Sequence, residues 1–299
     1  MTEGLTPEQI EQRSIAELEA GRLPVRAQER LAMMTADHAF TSDLTVAEHH
    51  AIRSVGFSPV GQVMGSCVYH IGYTGSWNCG YTWGGFTGGT STVTEAEGLR
   101  ASLYEARTLA MRRMSQECAG LGGDGVVAVR LTIAPFPAGG LEFQAIGTAV
   151  RANAPVHARR PFLSDLTGQD FAKLVTTGWV PCGMVLGLAV AIRHDDYRTQ
   201  RQTMSWQNTE IGGHTQLVST ARHWARDRLR KECARFGGSG VVVRTTTLQI
   251  SERRCGNSVG NNEQHDHLAE AMVIGTAITP FRHSAGNRPP TPLPIMRLN

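Results

Sequence analysis

The sequence predicts an α+β chain made of two tandem repeats, each a long helix packed on a small antiparallel sheet. Three observations predict it. Residues 103–127 and 218–242 align without gaps at a shift of 115, with 12 of 25 positions identical by direct count. Residues 40–67 and 162–189 align at a shift of 122, with 10 of 28 identical. The tetrapeptide Ile146-Gly147-Thr148-Ala149 returns as Ile274-Gly275-Thr276-Ala277 at a shift of 128. Three blocks in one order at nearly one spacing mark a duplication. The boundaries that follow are an N-terminal helical arm over 1–38, repeats over 39–153 and 161–281, and a proline-rich tail over 282–299.

Each element has a local cause. Thr6, Pro7 and Gln9 supply a helix start, with a cap, a first-turn proline and a capping-box partner; Gly21 suits the stop. A second short helix follows Pro24. Ser42, Asp43 or Thr45 can cap a short helix over 46–54 that Gly56 ends. Residues 59–69 read as a strand with glycines at 61 and 65, which leave room for another backbone or a bend. From 96 to 121, Leu99, Leu103, Ala106, Ala110, Met114, Cys118 and Leu121 step by three and four, which is one apolar helical stripe. Gly122 fits the left-handed position after that helix. Val127, Val129, Leu131 and Ile133 then alternate with their neighbours as a half-buried strand does, and 141–150 returns. The second copy runs through a short helix over 165–177, a more hydrophobic strand over 181–192, a helix over 214–236 and strands over 241–250 and 268–279.

Composition sets bounds. With 299 residues, 41% hydrophobic and 18% charged, the chain is globular and long enough for about two domains. A net charge of +3 does not by itself call for nucleic acid. No apolar run approaches the roughly 18 residues of a membrane span. Residues 1–20 are polar and acidic, unlike a signal peptide, and the six cysteines form no CxxC, so free thiols in a reducing, cytoplasmic setting are expected.

The strand with glycines, the aromatic insert, the helix ending Glu-Cys-Ala before Gly-Gly-x-Gly-Val-Val (residues 117–127 and 232–242) and the closing Gly-Thr-Ala together resemble the YbjQ-like family, often labelled heavy-metal-binding. The resemblance covers about 240 residues and leaves out the arm and the tail. It implies a dodecin-subunit-like helix-on-sheet unit and a homo-oligomeric ring, a pentamer or a multiple of five. Two units in one chain depart from the usual single-domain pattern.

The function expected is that of a non-enzymatic assembly or scaffold protein. No Gly-x-Ser-x-Gly, Walker or His-Glu-x-x-His sequence is present, and the glycine turn at 122–125 follows a helix where a phosphate loop would precede one. Five aromatics (Tyr73, Trp77, Tyr81, Trp83, Phe86) among the glycines of 72–90, with Trp206 in the second insert, suit subunit contacts; the bland alternative is rings folded back on their own domain. Arg222, Arg226 and Arg230 lie on a basic helix whose bland reading is a solvated face and whose sharper reading is a docking surface. No cofactor is required. The alternative function is transition-metal binding through His265 and His267 in a loop of the second repeat near Cys255 and Glu263, against the bland reading of a solvated polar loop. His49-His50 and His194-Asp195-Asp196 are weaker candidates. Cys118 and Cys233 occupy the same repeat position, yet both fall on apolar stripes and read as core. The proline-rich tail offers a docking peptide for a protein partner.

Overall fold

The computed structural model describes residues 6–36, 41–70, 92–137, 140–155, 157–254 and 265–280. The aromatics at 73–86, Cys255, Glu263 and the tail at 282–299 lie outside the described residues. In chain order the elements begin with α1 (Pro7–Glu19), α2 (Val25–Ala36), α3 (Val46–Ser54), β1 (Phe57–His70), β2 (Thr94–Glu95), α4 (Glu97–Gly120), β3 (Gly125–Phe136) and β4 (Gly140–Ala152). They continue with β5 (Phe162–Leu163), α5 (Gly168–Thr176), β6 (Trp179–His194), α6 (Tyr197–Thr203), α7 (Gly212–Arg235), β7 (Gly240–Arg254) and β8 (His265–Pro280). No helix among the described residues is long and apolar enough to cross a membrane.

The helix starts are set by their first side chains. Thr6 and Gln9 close a capping box on α1, and Thr45 and Glu48 do the same on α3. The arm packs onto the core: Arg30 of α2 donates to the Glu117 carboxylate on α4 and to the Gln62 carbonyl of β1, and Leu31 is buried.

Two four-stranded sheets carry the fold, in the orders β1-β4-β3-β5 and β2-β6-β8-β7. The three long strands of each are antiparallel and run in the same order, and β3 and β7 each have a bulge that ends at the same place, before Arg130 and before Thr245. We call the β1-β4-β3 sheet with α4 the N-terminal half, and the β6-β8-β7 sheet with α7 the C-terminal half. Each half lends a two-residue strand to the other. β5 pairs in parallel with β3, and β2 pairs with the outer edge of β6.

Gly65 in β1 and Gly187 in β6 let each helix lie directly on its sheet. A Cβ at either position would sit 2.0 Å from the Ala110 carbonyl oxygen or 1.9 Å from that of Ala225. The closing Gly-Thr-Ala also has a role. The Thr148 and Thr276 hydroxyls accept the backbone N–H groups of Asp43 and Asp165, at 3.4 and 3.1 Å, and so tie the start of each half to its own last strand.

The core explains why β6 reads as more hydrophobic than β1. Val185, Ala189 and Ala191 face α7, while Met184, Leu186, Leu188 and Val190, on the opposite side of the strand, join the cluster around α4. β6 is therefore covered on both faces, and α4 is sandwiched between the two sheets. On β1 the positions matching Leu186 and Val190 are Met64 and Val68, which are 37% and 51% exposed where Leu186 and Val190 are 1% each. The inner sides of α4 and α7 hold Cys118 and Cys233; burial pushes the Cys118 thiol up to about 12, so both behave as small hydrophobes.

Candidate functional site

Among the described residues, one group of three potential metal ligands comes together: Asp195, His214 and His267, whose ligand atoms all lie within 4.8 Å of one another. Three elements build it. Asp195 follows β6, and its backbone N–H donates to the His265 carbonyl at 3.1 Å, which fixes the turn. His267 is the third residue of β8, opposite Arg193 of β6. His214 sits in the first turn of α7, close against the sheet because the preceding Gly213 has no side chain; a Cβ there would come 2.5 Å from the Thr199 hydroxyl and 2.7 Å from the Arg193 guanidinium.

Both imidazoles turn Nε2 toward the carboxylate. His267 Nε2 lies 3.0 Å from Asp195 Oδ2, and His214 Nε2 lies 3.3 Å from Asp195 Oδ1. The rings meet edge to face with centroids 4.4 Å apart. A tetrahedral ion with bonds of about 2.0 Å separates its ligand atoms by about 3.3 Å, which is close to each imidazole–carboxylate contact, the two contacts being made to different oxygens of Asp195. Two imidazoles and one carboxylate suit zinc or another divalent transition metal, with remaining positions for water. The hydrogen bond that His267 donates to Asp195 raises the His267 pKa against the opposing effect of burial, and nearby carboxylates add to the rise. Burial opposes ionisation of Asp195, yet the hydrogen bonds and charges of His267 and His214 hold its pKa below the ordinary value. Around the triad, His194 Nδ1 lies 2.7 Å from Asp266 Oδ1 and Arg193 donates to Asp196 at 2.8 Å.

This arrangement differs from the loop pair expected from the sequence. His265 and His267 are not in a loop; they open β8, whose hairpin with β7 reaches further than the apolar alternation indicates. They share one strand face but not one site. His265 Nδ1 pairs with Glu252 at 2.7 Å, while His267 turns to Asp195. The sequence reading missed His214 and set Asp195 aside in the run 194–196. His49 and His50 lie on α3 along an open surface groove with Arg53 and Ser54. Arg222, Arg226 and Arg230 are exposed on α7, and Trp206 is wholly exposed, at 104%.

A family model described as "Putative heavy-metal-binding" matches residues 60–153. That stretch ends before Asp195, so the metal label does not derive from the triad. The encapsulin nanocompartment protein Rv1762c of Mycobacterium tuberculosis is 37% identical over 234 residues, 75% of this chain and 83% of that protein. A UPF0145 protein of Vibrio campbellii is 40% identical over 57 residues, 19% of this chain and 55% of its own length. No solved structure matches the chain significantly. With the glycine-bearing strand, the long helix and the closing Gly-Thr-Ala all in place, residues 60–153 belong to the YbjQ-like family, and the chain as a whole belongs to the family of Rv1762c.

Proposed function

We propose that the chain is a non-enzymatic assembly protein, which builds a closed homo-oligomeric ring and acts as a scaffold. The observation that carries this reading is the unequal cover of two matching edge strands. On β3, Val126 is fully buried in the core around α4 and Val127 is fully buried under Leu166 and α5; on β7, the matching Val241 and Val242 are half-buried and exposed, and Val243 is 48% exposed. An apolar strand edge left open is a template for another chain. The name of the mycobacterial relative, a nanocompartment protein, points the same way. The resemblance to YbjQ-like proteins favours five chains or a multiple of five. Multi-angle light scattering of the purified chain tests the reading. A particle several times the 32.4 kDa chain mass is expected, and a monomer at every concentration overturns it.

A second reading rests on a different observation, the convergence of His214 and His267 on Asp195. It makes the chain a transition-metal binder and is compatible with assembly. Elemental analysis after incubation with zinc, followed by buffer exchange, is expected to give one ion per chain. The His214→Ala/His267→Ala variant should retain none. Equal metal in both proteins rules the triad out, and His265→Ala serves as the control that should keep the ion.

A further inference from the structure

The way the two halves meet inside one chain is repeated, unfilled, on the outside of that chain. Two features of the internal junction show it.

The first is the short parallel strand. Phe162 N–H donates to the Asp124 carbonyl at 3.1 Å and Ser164 N–H to that of Val126 at 2.9 Å. In return Ala128 N–H donates to Leu166 and Val129 N–H to Ser164, at 2.8 and 3.0 Å. Meanwhile Ser164 and Asp165 stay tied to Thr276 of their own half. Residues 42–44 are held the same way. Ser42 and Asp43 are tied to Thr148, and Leu44 N–H donates to Ser42 Oγ at 3.0 Å as Leu166 N–H does to Ser164 Oγ at 3.2 Å. No strand edge lies along 42–44 among the described residues, and none covers the outer edge of β7.

The second is a charge pair. Glu95, on the short strand lent by the N-terminal half, receives Arg228 of α7 at 2.5 Å, and the other guanidinium nitrogen of Arg228 donates to the Leu188 carbonyl at 3.0 Å. Arg113 of α4 holds the matching pose, donating to the Ser66 carbonyl at 2.6 Å, with no carboxylate partner among the described residues. Thr209-Glu210 repeats Thr94-Glu95 at the shift of 115. Glu210 is steadied by the Thr215 hydroxyl at 2.8 Å, as Glu95 is by Arg100 at 3.5 Å.

From this we infer that a second copy of the chain docks head to tail on the C-terminal half. Residues 42–44 of the incoming copy run along β7 as residues 164–166 run along β3, and its Arg113 donates to Glu210. The contact is heterologous, since the surface given differs from the surface received, so it propagates from chain to chain until it closes. The outer face of β1 and β4, which carries Met64, Val68 and Glu142, lies toward the basic face of α7 in this arrangement, and Arg222 takes the place that Arg107 takes inside the chain. On the incoming half, Arg30 of the arm already serves Glu117, so the helix-to-sheet layer differs from the internal one and the strand edge and the charge pair define the register.

This inference rests on the assembly reading, and the test separates the two. Full-length Glu210→Arg and Arg113→Glu are prepared singly and mixed, and each is checked for folding by circular dichroism. Each alone should sediment as the free chain, with association weakened at least about tenfold. Mixed in equal amounts they should reassociate, because each junction between unlike variants joins opposite charges; a ring of five chains, which cannot alternate throughout, keeps one like-charged junction. Val243→Lys, at an exposed position, should also block assembly without affecting the fold. If the unaltered chain never assembles, the assembly reading itself fails. If it assembles and neither reversal matters, or the mixture stays monomeric, this junction is wrong while the assembly reading stands. If Arg113→Glu does not fold, Glu210→Arg and Val243→Lys decide alone, and assembly of both at full strength overturns the inference.

Discussion

β6 and β1 occupy matching places in the two halves, yet one is an interior strand and the other a surface strand. Leu186 and Met64 hold the same position in the pattern. Leu186 is packed under α4 of the other half, whereas Met64 faces outward. β3 and β7 show the reverse, with the N-terminal strand covered and the C-terminal strand open. The unit is thus unfinished by construction. Each half has one face and one edge of this kind, and within a single chain only one of the two is covered on each half.

Mutations at matching positions measure that asymmetry. The largest expected effect is at the sandwiched strand. Leu186→Ala should lower stability by about 2–5 kcal/mol, as deletion of a fully packed leucine does, whereas Met64→Ala should cost under about 1 kcal/mol in the isolated chain. Denaturant titration below the assembly concentration checks this; equal losses would mean the two faces are equally packed. Next are the two threonines. Thr276→Val leaves the Asp165 N–H and a carboxylate oxygen of Asp165 without their bond in a buried place, a loss of about 1–3 kcal/mol; the longer contacts of Thr148 should make Thr148→Val the milder change, near about 1 kcal/mol. The gap should narrow in assembled protein if residues 42–44 become buried.

The smallest effect is the pH dependence of the triad, and its sign is diagnostic. The folded His267 pKa lies above its ordinary value, so the stability it contributes is fully present below about pH 6.5 and fades as pH rises through the raised value. Asp195 works in the opposite direction, with its contribution present above the ordinary carboxylate range and lost as pH falls through its lowered value. Thermal melts of the metal-free chain should therefore show His267→Gln trailing the parent more at about pH 6 than at about pH 9. Metal binding should run the other way, strengthening with pH, because each imidazolium must release its proton to solvent before its nitrogen can bind the ion. Parallel trends in the two titrations would show that the triad does not exchange protons for metal.

Much of this fold is legible along the chain, and the illegible part has a common cause. The helix at Val46–Ser54 announces itself through Thr45 and Glu48, and the long helices through their stripes and the glycines that follow them. These are local signals. The second apolar face of β6 is visible as a run of hydrophobic residues, but what covers it lies about 80 residues away on α4. β2 and β5 are two residues each, too short for any periodicity, and exist only because the other half's edge is there. α6 escapes a sequence reading because Tyr197–Thr203 is polar throughout and is started by a single cap, Asp196. The triad joins positions 195, 214 and 267, so no spacing rule shows it. The available hint is a histidine at the first turn of a helix, together with Asp195 just after the end of a strand.

The exchange of β2 and β5 has an arithmetic consequence. If the open edge of β7 takes the junction inferred above, a ring of whole chains alternates junctions within a chain with junctions between chains and always counts an even number of helix-on-sheet units. Five chains would make a decagon, not a pentagon. Diluting such a ring should part it only at every other seam, releasing intact chains and never single units.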